Sequence, residues 1–87
     1  MVLSKGVKME IEEVLKALNH IFQNVVDDPG VVLKRETTAN DVDEWDSLNH
    51  ITFVVAIEKH FKVKFSSAEI RSWLNVGDMC DAIARKV

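Results

Sequence analysis

The sequence predicts a small all-α fold: an antiparallel-type bundle of three longer helices plus one short helix, with a long loop between helices I and II. Three observations carry this. Apolar residues recur at helical spacing in separate stretches of the chain. Polar cap signals stand before several of those stretches. No alternating strand pattern, internal repeat or low-complexity segment competes with them. A chain of 87 residues, 47% hydrophobic and 29% charged, suits one soluble domain spanning 1–87 with a single modest core. Residues 1–7 are expected to be a loosely ordered N-terminus.

Helix I is expected over residues 8–26. Ile11, Val14, Leu15, Leu18, Phe22 and Val25 fall on one stripe, and Glu10, Glu12, Glu13 and Lys16 supply the wet face. Asp28-Pro29-Gly30 ends it, because proline and glycine are both poor in a helix interior. The connection 27–46 is unusually long for a compact domain, so it is either functional or hides a short element. Val31, Val32 and Leu33 are expected to pin it to the core, and a helical turn fits residues 35–40. Asp41, Asp43, Glu44 and Asp46 make its end acidic. That cluster reads as a solvated loop with a cap, or as a partner-docking surface.

Helix II is expected over residues 47–60. At about 100° per residue, Phe53, Val54, Ile57 and Phe61 share one side. Leu48, Ile51 and Val55 fall roughly a third of a turn away. A surface helix needs only one apolar stripe, so the second is read as an exposed docking face rather than as more core. Phe65 is a core plug. Ser66 and Glu69 form a capping box for a short helix III over 67–73, which buries Ile70 and either Trp73 or Leu74. Asn75-Val76-Gly77-Asp78 starts helix IV, which runs to about residue 86 with Val76, Met79, Cys80, Ile83 and Val87 on its core stripe.

Composition excludes several functions. A net charge of −3 argues against nucleic acid as a partner. The longest apolar run, Phe53-Val54-Val55-Ala56-Ile57, is far too short for membrane insertion. The first residues carry no secretory signal, and a single cysteine, Cys80, suits a reducing compartment; a cytoplasmic location is expected. His20, His50, His60 and Cys80 lack paired ligand spacing, so no metal site is assigned.

The residue that stands out chemically is Ser47, at the head of helix II. Asp46 before it suits the N-cap, accepting from first-turn amides. A phosphate ester on Ser47 would lie close to those amides and to the positive end of the helix dipole. Ser47 is therefore a sound attachment point for a phosphate-linked group. As a hydrolytic nucleophile it lacks an elbow motif, and His50 projects towards the core side, so no catalytic residue is assigned. Trp45 either staples the loop to helix II or walls the group that Ser47 carries.

The run Thr37-Thr38-Ala39-Asn40-Asp41-Val42-Asp43-Glu44-Trp45-Asp46-Ser47-Leu48-Asn49-His50-Ile51 resembles the modification region of small, free-standing bacterial acyl carrier proteins. The continuation from Ile57 to Phe65 and the later Leu74-Asn75-Val76-Gly77-Asp78 fit the same family, so the resemblance covers about residues 8–87. It implies that a phosphopantetheinyl transferase attaches 4′-phosphopantetheine to Ser47. It further implies that acyl-loading and acyl-transferring enzymes are the partners, and that the chain is a monomeric carrier and not an enzyme. By position, Asp46, Leu48, Ile51, Val55 and Lys59 acquire a partner-contact role. Asn49, Thr52 and Lys59 stand where fatty-acid carriers commonly have acids, and Glu44-Trp45 replaces the usual glycine before the motif. These departures point to a specialised biosynthetic or acyl-modifying pathway. An aminoacyl or peptidyl carrier loaded by an adenylating enzyme is the nearest alternative. An unmodified helical adaptor is the alternative from another class.

Overall fold

The computed structural model describes residues 10–87. In chain order it contains α1 (Ile11–Val26), a short 3-10 turn (Ala39–Asp41), α2 (Ser47–Phe61), α3 (Ser67–Arg71) and α4 (Val76–Lys86). Every regular element among the described residues is helical, in keeping with the predicted fold class. The expected helix start at residue 8 and the loosely ordered stretch 1–7 lie outside the described residues.

Glu12 and Glu13 occupy the first turn of α1, where negative charge complements the helix dipole. Glu13 Oε1 accepts the Glu10 N–H at 3.3 Å. The apolar stripe buries Val14, Leu18 and Phe22, and the core is wide enough to bury Ile21 beside them as well. Each such side chain contributes about 1.5–3 kcal/mol relative to exposure. The helix stops at Asp27, whose left-handed backbone (φ 56°) turns the chain so that the Asp27 and Asp28 amides both donate to the Gln23 carbonyl. Asp28 Oδ1 then accepts from the Gly30 N–H at 3.0 Å, fixing the turn around Pro29.

α1 packs against both α2 and α4. The core between them is filled by Leu18, Phe22, Leu33, Phe53, Ile57, Met79 and Ile83, all fully buried or nearly so. Phe22 meets Phe53 edge-on with centroids 4.9 Å apart, and Trp45 joins them at 5.0 Å from Phe22 and 5.5 Å from Phe53. Such ring pairs add about 0.5–1.5 kcal/mol each beyond area burial.

The long connection is held by its backbone. Val31 is half-buried and Leu33 buried, but Val32 between them is exposed. Extended chain alternates its side chains, so three consecutive residues cannot all pin the loop. The helical turn falls at Ala39–Asp41, later than expected, because residues 34–37 form a separate turn. In that turn Thr37 Oγ1 accepts from the Lys34 N–H at 2.8 Å, and the Thr37 N–H returns to the Lys34 carbonyl at 3.0 Å.

The same turn caps α4. The Val76 N–H donates to the Thr37 carbonyl at 2.9 Å and the Gly77 N–H to the Arg35 carbonyl at 2.7 Å. Asn75 Oδ1 takes the Asp78 N–H at 2.9 Å. A Cβ on residue 77 would lie 3.1 Å from the Arg35 carbonyl oxygen, which accounts for glycine there. α3 has the predicted Ser66–Glu69 capping box but is two residues shorter than expected. Ser72 Oγ donates back to the Glu69 carbonyl at 2.6 Å and draws the chain out of the helix. Of the two core candidates that follow, Trp73 is the half-buried one, edge-on to Phe65 at 5.0 Å, while Leu74 is exposed.

Candidate functional site

Ser47 is the first residue of α2 and is exposed. Asp46 is the N-cap, with its Oδ1 accepting the Asn49 N–H at 2.8 Å and its carbonyl accepting the His50 N–H at 2.8 Å. Asn49 Nδ2 reaches back to the Glu44 carbonyl at 2.8 Å, tying the loop end to the helix. The amides of Ser47 and Leu48 have no acceptor within the helix. Two donors at the positive end of the dipole therefore lie beside the Ser47 hydroxyl.

Next to Ser47 is an open cavity of ≈ 420 Å³ lined by Ala39, Trp45, Asp46, His50 and Ile51. Trp45 packs the loop end onto α2 and also lines this cavity. It is 8% exposed, wedged against Phe22 and Phe53. Its Nε1–H donates to His50 Nδ1 at 3.0 Å, with the rings 6.1 Å apart and 26° from parallel. Burial lowers the His50 pKa from its ordinary 6.5. A smaller cavity of ≈ 80 Å³ adjoins Trp45 and His50 on the side of Trp73, Leu74, Asn75 and Met79.

This Trp45–His50 pair is what sequence reasoning missed. Trp45 precedes the N-cap and His50 is the fourth helical residue, which is the spacing of a staple across a helix start. That spacing was the available signal.

The two faces of α2 differ in burial, with Phe61 at the end of the core face only half-buried. Phe53, Val54 and Ile57 are buried. Leu48, Ile51 and Val55 are 72%, 61% and 42% exposed, and at spacings of three and four they form one stripe. Lys59 continues it one turn further on, exposed, and Asp46 heads it. The acidic loop end is partly structural. Asp41 Oδ2 accepts the Thr38 N–H at 2.9 Å, and Asp46 caps α2. The nearness of the Glu44 and Asp28 carboxyls raises the Glu44 pKa and lowers that of Asp28.

No group of three or more metal-ligating side chains occurs among the described residues. Cys80 is fully buried on α4, and desolvation pushes its pKa up to about 11. No helix among the described residues is long and apolar enough to cross a membrane.

No family model and no curated protein matches the chain. Among solved structures it is similar to the solution NMR structure of a holo acyl carrier protein from Geobacter metallireducens. The TM-score is 0.79, with 48% sequence identity over 84% of this chain and 84% of that one.

Proposed function

This chain belongs to the acyl carrier protein family, and on that premise we propose that Ser47 bears a 4′-phosphopantetheine arm in a specialised biosynthetic or acyl-modifying pathway. It is a carrier and not an enzyme. Bound there, the arm supplies a thiol that holds acyl groups as thioesters.

The observation that supports Ser47 is its exposure at the head of α2, beside two amides without helical acceptors and an open cavity. A phosphate ester suits this position because its charge meets the positive end of the helix. Asp46 holds the first turn in shape without occupying those two amides. The exposed stripe of Leu48, Ile51, Val55 and Lys59, with Asp46 at its head, serves as the surface for a phosphopantetheinyl transferase and for acyl-loading and acyl-transferring enzymes. Its charge favours a specialised pathway. Thr52 and Lys59 replace acids on that face, and Asn49 is committed to the Glu44 carbonyl.

Incubation with coenzyme A, magnesium and a broad-specificity transferase tests the reading. Intact mass should rise by one phosphopantetheine, and Ser47→Ala should abolish the gain while keeping the helical circular dichroism. A wild-type chain left unmodified by several transferases would defeat the proposal.

A further inference from the structure

Indole Nε1–H is a donor only, so His50 Nδ1 must accept, and the imidazole hydrogen lies on Nε2. That Nε2–H has no acceptor among the described residues. No buried side-chain nitrogen or oxygen there lacks a partner, so the Nε2–H is open to solvent or to the cavity. Ser47 and His50 are three apart on α2, which puts their Cβ atoms about 5–6 Å from each other. Both line the same cavity.

We propose that His50 is a positioning residue for the group on Ser47, its Nε2–H donating to a phosphate oxygen of the ester linkage. This rests on the modification of Ser47 proposed above. Trp45 is part of the device: by engaging Nδ1 it fixes both the tautomer and the ring plane, so that the donor is held in place without being charged. Folding uses only Nδ1 of this ring, as the acceptor for the Trp45 Nε1–H, and the proposal gives the remaining Nε2–H a role.

The charged surroundings of the ring are simple. Ala39 faces it from the 3-10 turn, Trp45 from the loop, Ile51 from its own helix, and Trp73, Leu74, Asn75 and Met79 from the α3–α4 side. Asp46 is the one ionisable neighbour in these linings, and its carboxylate is engaged by the Asn49 amide. A phosphodiester on Ser47 adds a second negative charge and raises the ring's proton affinity. Below the new midpoint Nε2–H still donates to the phosphate, while Nδ1 gives up the Trp45 bond.

The test is nitrogen-15 NMR of the histidine rings in the full chain before and after modification, with intact mass establishing that one arm is attached. Before modification His50 should show the Nε2–H form. Afterwards its proton affinity should rise about tenfold, and the phosphorus-31 resonance should titrate with the same midpoint between about pH 5 and 8. The exposed His20 and His60 serve as internal references. In modified His50→Gln the phosphorus titration over that range should vanish. An attached arm with His50 unmoved, or a phosphorus resonance indifferent to pH, overturns the assignment of His50 alone. If mass shows no arm, the Ser47 reading fails and this inference with it.

Discussion

Asn19 clamps the backbone of Leu33 from both sides: its Oδ1 accepts the Leu33 N–H at 2.6 Å, and its Nδ2 donates to the Leu33 carbonyl at 2.9 Å. One turn further along α1, Gln23 Nε2 donates to the Val31 carbonyl at 2.8 Å. The spacings match. Four residues of helix advance about 6 Å, and two residues of extended chain about 6.6 Å. The loop therefore runs antiparallel to α1 in a register set by two amide side chains. That register places the Leu33 side chain in the core and leads the chain on to the Arg35–Thr37 turn that caps α4.

Asn19→Ala leaves the Leu33 N–H and carbonyl without protein partners, so it should destabilise the fold by about 1–3 kcal/mol. Urea denaturation followed by circular dichroism checks this. A loss within error of zero would mean that water replaces the amide and that the clamp is incidental.

The helices, the Asp46 cap and the split faces of α2 were legible because each depends on residues within a turn or two of one another. The Asn19–Leu33 clamp was not. Nothing in the spacing of a polar residue on α1 says which of many loop amides it meets. Val32 illustrates the same limit, since three consecutive apolar residues do not reveal which one an extended chain turns outward. The exposed position of Ser47 at the head of α2 was readable from the cap signal before it. The bond between Trp45 and His50 follows the spacing of a staple across a cap, but a polar residue in the second position falls outside an apolar periodicity. The identity of Gly77 became intelligible only when the Arg35 carbonyl was found against it.

The two faces of α2 predict opposite mutational behaviour. Ile57 is fully buried, so Ile57→Ala should cost about 2–5 kcal/mol. Ile51→Ala and Val55→Ala remove exposed groups and should change stability by less than about 1 kcal/mol, yet weaken docking to cognate enzymes. Thermal melts and surface-plasmon affinities separate the effects. Equal, large losses of stability at all three positions would place the second face in the core.

Cys80 should be chemically silent in the folded chain. Its thiol is buried, and with a pKa of about 11 it stays protonated at pH 8. Iodoacetamide should therefore leave the native unmodified chain untouched and alkylate it once in denaturant. The phosphopantetheine-bearing chain should take one label while folded, on the arm. Labelling of the native unmodified chain, read by mass, would contradict the burial of Cys80.

Acidification should weaken the fold through His50. Burial depresses its folded pKa below the ordinary 6.5, so between the two values the unfolded chain binds more protons. The contribution is full above about pH 6.5 and falls as pH drops towards the folded value. Protonation also turns Nδ1 into a donor and ends its bond with Trp45. Urea midpoints should thus fall from about pH 7.5 to 5.5 in wild type, and fall less in His50→Gln. Parallel declines in the two proteins would assign the pH dependence to other groups.

The exposed stripe of α2 is mixed in charge, and if enzymes dock on it, as proposed, this should set which of them associate quickly. Thr52 and Lys59 flank Leu48, Ile51 and Val55 on the exposed side of α2, and Thr52 Oγ1 is turned back onto the Leu48 carbonyl at 3.1 Å. Enzymes that present basic patches to acidic carriers gain little electrostatic steering from such a face. Thr52→Glu with Lys59→Glu should therefore raise the association rate with a basic-patched fatty-acid ketosynthase. Neither residue is buried, so stability should change little. The gain should shrink with salt, because exposed charges are screened beyond about 10 Å at roughly 0.1 M ionic strength. Stopped-flow association at low and high salt reads this directly. If the double variant associates no faster at low salt, charge on this face does not select the partners. The argument for a specialised pathway would then rest on the Glu44-Trp45 sequence before Ser47 alone.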